Sequence, residues 1–293
     1  MKTHILENDE LRITVADAGA ELVSVWDRET DSERLWTADP AVWNRHSPIL
    51  FPFVGRVTDG RYRIGGREYS MKTQHGFARD MDFACIDETD TTVTHCLTAT
   101  DRTRELYPYD FRLTVRHSLN RKEPRKLEVS WTVENTGDAE MYYAIGAHPG
   151  FLMPPGARKE DCLITFPGRE ELRFFGADAA GFAHPEREQS LKLDGGCARY
   201  QDSVPDTWIF EGQNIETTGI AGPDRKPWIT MECSGFPMLA VWANKNGPFI
   251  CLEPWFGRTD DAGFSGTLEE KKGMQRLESG ERRDISYAVI FHR

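Results

Sequence analysis

Five side chains in this 293-residue sequence could move or stabilise protons: Glu253, His148, His75, Arg56 and Asp206. Each stands at the end of an apolar run or in a loop bounded by glycine or proline. Proton transfer to and from an oxygen needs a base and an acid with separated pKa values, and Glu253 can be the base with a histidine as the acid. Glu253 lies in Phe249-Ile-Cys-Leu-Glu-Pro-Trp-Phe-Gly257. Pro254 cannot donate a backbone hydrogen bond and disfavours helix at the residue before it, so the strand is expected to stop there with Glu253 at its rim. Trp255 and Phe256 follow, and flat aromatic faces beside a carboxylate suit a ligand with an apolar face and polar edges, such as a sugar ring. The same residues also fit a solvated strand-end glutamate beside two core aromatics. Burial among Trp255, Phe256 and Phe151 is expected to raise the Glu253 pKa, and a nearby carboxylate to hold a histidine protonated.

The elements that must position these groups read as strands. Leu127, Val129, Trp131 and Val133 alternate with Glu128, Ser130, Thr132 and Glu134, the period of a half-buried antiparallel strand. Leu11–Val15 and Glu21–Trp26 read as a hairpin, and Val42–His46 as a helical turn. Pro52 marks Ile49–Arg56 as an edge or irregular strand. Met141–Ala147 is a strand that runs into His148-Pro-Gly150, and Gln74-His-Gly-Phe-Ala-Arg79 is a loop in which the glycine frees the backbone to aim His75. His95 shares one strand face with Val93, Leu97 and Ala99, and His117 one with Phe111, Leu113, Val115 and Leu119, so both read as core or sheet histidines. Pro154–Glu160, Gly176–Gly196 and Gly257–Gly280 are long, polar connections. There is no three-turn helix, fixed-period repeat or linker composition. The expectation is a single all-β domain over 1–293, a large antiparallel β-sandwich.

Composition narrows the partners. The formal net charge of −11 disfavours nucleic acid or an anionic membrane. No apolar run approaches the roughly 20 residues of a bilayer span, and the charged N-terminus lacks the apolar stretch of a signal peptide, so a cytoplasmic location is expected. The six cysteines show no Cys-x-x-Cys spacing and are expected to be buried thiols rather than disulfides, metal ligands or nucleophiles.

Four stretches, Leu50-Phe-Pro-Phe-Val-Gly-Arg56, Gln74-His-Gly-Phe-Ala-Arg79, Gly146-Ala-His-Pro-Gly-Phe151 and Cys251-Leu-Glu-Pro-Trp-Phe-Gly257, occur in this order across most of the chain. Together they resemble the aldose 1-epimerase (galactose mutarotase-like) superfamily, most closely its LacX-like branch. The resemblance implies a large antiparallel β-sandwich with a sugar on its concave face. It implies that Glu253 is the base for the anomeric hydroxyl and His148 the acid for the ring oxygen. It further implies that His75 is the second active-site histidine and that Arg56 contacts sugar hydroxyls. Asp206 stands where the family has a sugar-binding aspartate, within a poorly matching stretch. Classical galactose mutarotases follow that aspartate with His-Asn, whereas this chain has Thr207-Trp208, so galactose specificity does not carry over.

Other readings stay open at this level. Hexose-6-phosphate mutarotases share the His-Gly-Phe-Ala-Arg stretch, and Arg45, Arg79 and Arg56 could receive a phosphate, although salt bridges to acids suit Arg45 and Arg79 better. A non-catalytic sugar-binding or sensor protein is possible on the same fold, but binding alone would accept amides at His148 and Glu253. Two histidines and a carboxylate also make a metal-ligand set. The His-x-x-x-His and His-x-His spacings are absent, and no metal or cofactor is expected. Glu253 with Asp206 would be a glycosidase pair, which leaves both histidines without a role.

Overall fold

A computed structural model of the chain describes residues 2–200 and 207–293. It is built almost entirely of antiparallel strands, with one α-helix, Asp101–Leu106, among the described residues. The predicted all-β architecture is therefore observed. The largest sheet has nine strands in the order Cys197–Arg199, Leu163–Thr165, Thr217–Ala221, Pro227–Glu232, Arg282–Phe291, Lys126–Asn135, Phe111–Leu119, Thr92–Thr98 and Ala84–Glu88. The strictly alternating burial of Lys126–Asn135 is the period read in its sequence. A four-stranded sheet at the N-terminus contains the expected hairpin, Leu11–Ala16 with Leu22–Asp27. Val42–His46 closes one turn only, where the Val42 and Trp43 amides both donate to the Asp39 carbonyl.

The site is carried by a six-stranded sheet in the order Thr207–Glu211, Met238–Trp242, Phe249–Phe256, Ile145–Ala147 and Ile49–Leu50, with Gly150–Leu152 also pairing along Phe249–Phe256. One face of this sheet, through Ile145, Leu239, Val241, Ile250, Leu252 and Phe256, joins the main core. Residues Val115, Leu127, Val129, Trp131 and Val289 of the nine-stranded sheet belong to that core as well. Burial of such side chains, about 1.5–3 kcal/mol each, makes this face the main source of stability. The other face presents Leu50, Met238, Ala240 and Trp255, with Phe249 and Cys251 alongside.

Two expectations about this sheet are corrected. The Glu253 strand does not stop at Pro254 but runs through it to Phe256. On one side Pro254 falls opposite Ala147, where ladder pairing has stopped after Gly146 with Trp255 and resumes only at Gly150 with Cys251. A strand residue without an N–H is tolerated at such a place. Glu253 is consequently an interior strand residue, 1% exposed, rather than a solvated rim group. Because side chains alternate, Trp255 shares its face, whereas Phe256 and Phe151 point into the main core on the other side. The long connections also hold more structure than expected. Gly176–Gly196 contains the strand Gln189–Lys192, and Gly257–Gly280 contains Gln275–Leu277.

Candidate active site

Register places His148 and Glu253 together. Gly146 pairs with Trp255 and Gly150 with Cys251, so the register is the same on both sides of the break and His148 falls opposite Glu253. His148 Nε2 lies 3.4 Å from Glu253 Oε2. The surrounding residues are small where the pair needs room. A Cβ on Gly146 would sit 2.4 Å from Trp255 Cδ1, and one on Gly150 would sit 3.1 Å from the Trp43 ring. On the opposite side of Glu253 its cross-strand partner is Ala240.

Aromatic rings hold the histidine. Trp43 stacks on His148 with centroids 4.8 Å apart, and Trp242 meets it edge-on at 5.3 Å. Trp43 comes from the irregular segment after Trp36 and is tied down from several directions. The Trp36 indole donates to the Trp43 carbonyl, Asn244 donates to the Val42 carbonyl, and Glu21 accepts from the His46 and Ser47 amides. The sequence reading missed Trp43 and Trp242. The available signal was two tryptophans, Trp43 in a polar segment and Trp242 at the end of the apolar run Met238-Leu-Ala-Val-Trp242.

His75 approaches from its loop, with its ring edge-on to His148 at 5.5 Å. The Gly55 amide donates to His75 Nδ1 at 3.0 Å, so the ring proton sits on Nε2 and is free to be donated. Both His75 and Gly76 have left-handed backbone, φ +66° and +70°. At Gly76 a Cβ would lie 2.2 Å from the Phe51 carbonyl oxygen, and that carbonyl receives the Phe77 and Ala78 amides. Gly76→Ala is thus expected to destabilise the fold by more than about 3 kcal/mol, through backbone overlap and strain. A urea midpoint equal to the wild type would contradict this.

Arg56 is exposed at the edge of the site and lies across Gly181. Its backbone is fixed by the Thr259 hydroxyl, which accepts from the Arg56 amide. Next to it the Asp260 carboxylate accepts from the Thr58 amide and pairs with the buried Lys271. The polar connection after Gly257 therefore serves to fix the Arg56 segment. Arg45 pairs with Asp80, as expected. Arg79 reaches the Gln74 carbonyl and comes within 4.0 Å of Asp80. Trp255, expected as a ligand face, is 5% exposed and edges the site with its indole nitrogen. Asp206 lies outside the described residues.

Burial dominates the electrostatics. It raises the Glu253 carboxyl well above the usual carboxylate range, and the Trp255 indole pulls the other way, although its N–H falls short of hydrogen-bond geometry. Burial, followed by the Arg79 charge, pushes His148 down to about 3. The expectation that a carboxylate holds this histidine protonated is therefore reversed, because burial among aromatic rings and the Arg79 charge both disfavour the imidazolium. Burial, then His148, Arg79 and Arg56, holds His75 well below its ordinary value. Glu253 Oε2, His148 Nδ1 and Trp255 Nε1 are buried without hydrogen-bond partners. Unsatisfied polar atoms gathered in this way mark a place made for a polar ligand. His148, Cys251 and Glu253 bring ligand atoms within 4.8 Å of one another and could hold a cation; proton exchange between Glu253 and His148 requires none.

Comparison with known proteins finds a matching family, sequence relatives and solved structures of the same fold. A family model described as aldose 1-epimerase matches residues 2–176. The chromosomal protein LacX of Lactococcus lactis subsp. lactis is 29% identical over 289 residues, covering 93% of each chain. A galactose mutarotase related enzyme from Lactobacillus acidophilus superposes with a TM-score of 0.92 at 28% identity, over 100% of this chain and 98% of the other. A galactose mutarotase-like protein from Lactobacillus casei gives 0.89 at 30% identity, over 99% and 100%.

Proposed function

Because the chain belongs to the aldose 1-epimerase family, we propose that it is an isomerase that interconverts the α and β anomers of a free aldose. The observation that carries this reading is the buried Glu253 and His148 pair, set opposite one another at 3.4 Å. Glu253 takes the proton of the anomeric hydroxyl, the electrons of that O–H close the carbonyl, and the bond from C1 to the ring oxygen breaks. His148 delivers its proton to that oxygen. The carbonyl carbon turns about its bond to C2, and the reverse transfers close the ring on its other face.

The proton bookkeeping fits the site. While the sugar is open, the pair is a neutral carboxylic acid beside a neutral imidazole, the form that burial favours for both groups. Ring opening therefore runs in the direction of the pair's own preference, and hydrogen bonds from the bound sugar sustain the charged form needed at the start. His75, with its proton on Nε2, donates to a sugar oxygen. Arg56 supplies an exposed guanidinium at the rim, and Asp206 is proposed as a further contact to the sugar. Arg45 is engaged by Asp80, which favours an unphosphorylated sugar over a sugar phosphate.

Saturation transfer between the two anomeric proton resonances tests the reading, since added protein should speed their exchange. Its pH dependence follows from the same pair. The pair works with one proton between two groups: a second proton removes the base, and loss of the only one removes the acid. The pH must fall toward about 3 before His148 binds that second proton, and the raised Glu253 pKa delays loss of the only one. The catalysed rate should stay near its maximum down to about pH 5. An acid limb centred at about 6.5, the ordinary histidine value, would contradict the assigned burial of His148.

A further inference from the structure

A second cluster lies where the N-terminal four-stranded sheet meets the edge of the nine-stranded sheet, and the chemistry above makes no use of it. His4 is on the strand Thr3–Glu7, Asp17 follows Leu11–Ala16, and Cys85 and His95 are cross-strand partners on Ala84–Glu88 and Thr92–Thr98. His4 and His95 are buried, 3% and 0% exposed. Their Nε2 atoms converge on one oxygen: His4 Nε2 is 2.9 Å and His95 Nε2 3.1 Å from Asp17 Oδ1. Ligand atoms of His4, Cys85 and His95 all lie within 4.8 Å of one another.

Three details bear on what this cluster can hold. The other nitrogen of His4, Nδ1, is 2.8 Å from Glu88 Oε2, the arrangement by which a carboxylate takes the Nδ1 proton and leaves Nε2 as a lone pair for a metal. A carboxylate only accepts, so the contact between this nitrogen and Asp17 is satisfied in one of two ways, by a second ring proton or by a metal ion between the two atoms. Second, the pairing of Ala84–Glu88 with its neighbour shifts between Cys85 and Asp87, and a bulge of this kind re-aims side chains. It leaves Ile86 59% exposed while Cys85 stands opposite His95. Third, His95 uses only the nitrogen facing Asp17, and its Nδ1 is buried without a partner.

We propose that His4, His95, Cys85 and Asp17 form a structural zinc site that staples the N-terminal sheet to the nine-stranded sheet. Two imidazoles, a thiolate and a carboxylate are a donor set suited to tetrahedral Zn2+, and four protein ligands close the site to catalysis. Tetrahedral ligands around zinc stand about 3.3–3.8 Å apart: the nitrogen-to-oxygen distances of 2.9 and 3.1 Å need to open by a few tenths of an ångström, and Asp17, which stands outside the group of atoms within 4.8 Å of one another, has to close on the other ligands as the metal binds. Glu88 holds the His4 ring in the required tautomer. Binding releases the thiol proton of Cys85 and involves no redox change.

Chelator-stripped full-length protein titrated with Co2+ provides the test, because a tetrahedral thiolate site gives intense visible bands and a near-ultraviolet sulfur-to-cobalt band. The expected result is a stoichiometric sulfur-to-cobalt band that is lost in Cys85→Ser and kept in Cys251→Ser. Zn2+ should raise the melting temperature by about 5 °C in the wild type and not in Cys85→Ser or His4→Gln. Circular dichroism on each stripped variant shows whether it is folded before metal is added. Absence of the band in folded wild-type protein overturns the proposal. So does a band that survives Cys85→Ser and disappears in Cys251→Ser, which would place the metal beside Glu253.

Discussion

Glu253→Gln is expected to lower the catalysed rate of anomer exchange by about 1000-fold, within the range that general acid–base groups supply, without loss of the fold. Gln keeps the shape of the side chain and its place on the strand Phe249–Phe256 but cannot accept the anomeric proton. The effect on stability should have the opposite sign. A carboxyl that is 1% exposed, with Oε2 lacking a hydrogen-bond partner, is held at a cost in the ligand-free protein. Burial holds the carboxyl protonated well above its ordinary range, which costs stability at neutral pH, and an amide carries no such cost, so the melting temperature of the variant should equal or exceed that of the wild type, the usual trade of stability for activity at a site. Saturation transfer and thermal melting on the same preparation read both effects. A variant that loses activity together with several degrees of melting temperature would assign Glu253 a structural role instead.

His148→Asn should cost about 100- to 1000-fold in the same assay, because the ring oxygen then leaves without a positioned acid. The informative comparison is the double variant. Two groups that pass one proton between them act as a unit, and once one is gone the other has little left to contribute. The double variant should therefore be no slower than about threefold below the slower single variant. Multiplying losses would mean that Glu253 and His148 act in separate steps or on separate substrate atoms. Asn at 148 also leaves Trp43 without the ring it stacks on at 4.8 Å, so some loss of melting temperature is expected here, unlike at Glu253.

The all-β fold was legible because alternation was clean in strands such as Lys126–Asn135, where one face meets the core and the other meets water. The histidines and the glutamate were legible as polar groups beside proline and glycine, and the structure brings His75, His148 and Glu253 together. What alternation could not supply was the fate of Pro254. Proline reads as a stop, and it passes here because pairing with Ile145–Ala147 and Gly150–Leu152 is interrupted opposite it, a fact about another part of the chain. Once the strand is known to continue, period 2 places Phe256 on the face away from Glu253. Trp43 was invisible for a related reason. It stands in an irregular segment held by Trp36, Asn244 and Glu21, contacts that no local pattern encodes. The reversal at His148 has the same origin, since the degree of burial that keeps its imidazole neutral is set by Trp43 and Trp242 from distant segments.

Polarimetry on freshly dissolved α-glucose, α-galactose and a hexose 6-phosphate, each against its spontaneous rate and against Glu253→Gln, tests the central claim most directly. The expected result is acceleration with at least one free aldose, abolished in the variant and weaker with the phosphorylated sugar. No acceleration with any free aldose, or an acceleration that Glu253→Gln leaves intact, would contradict it.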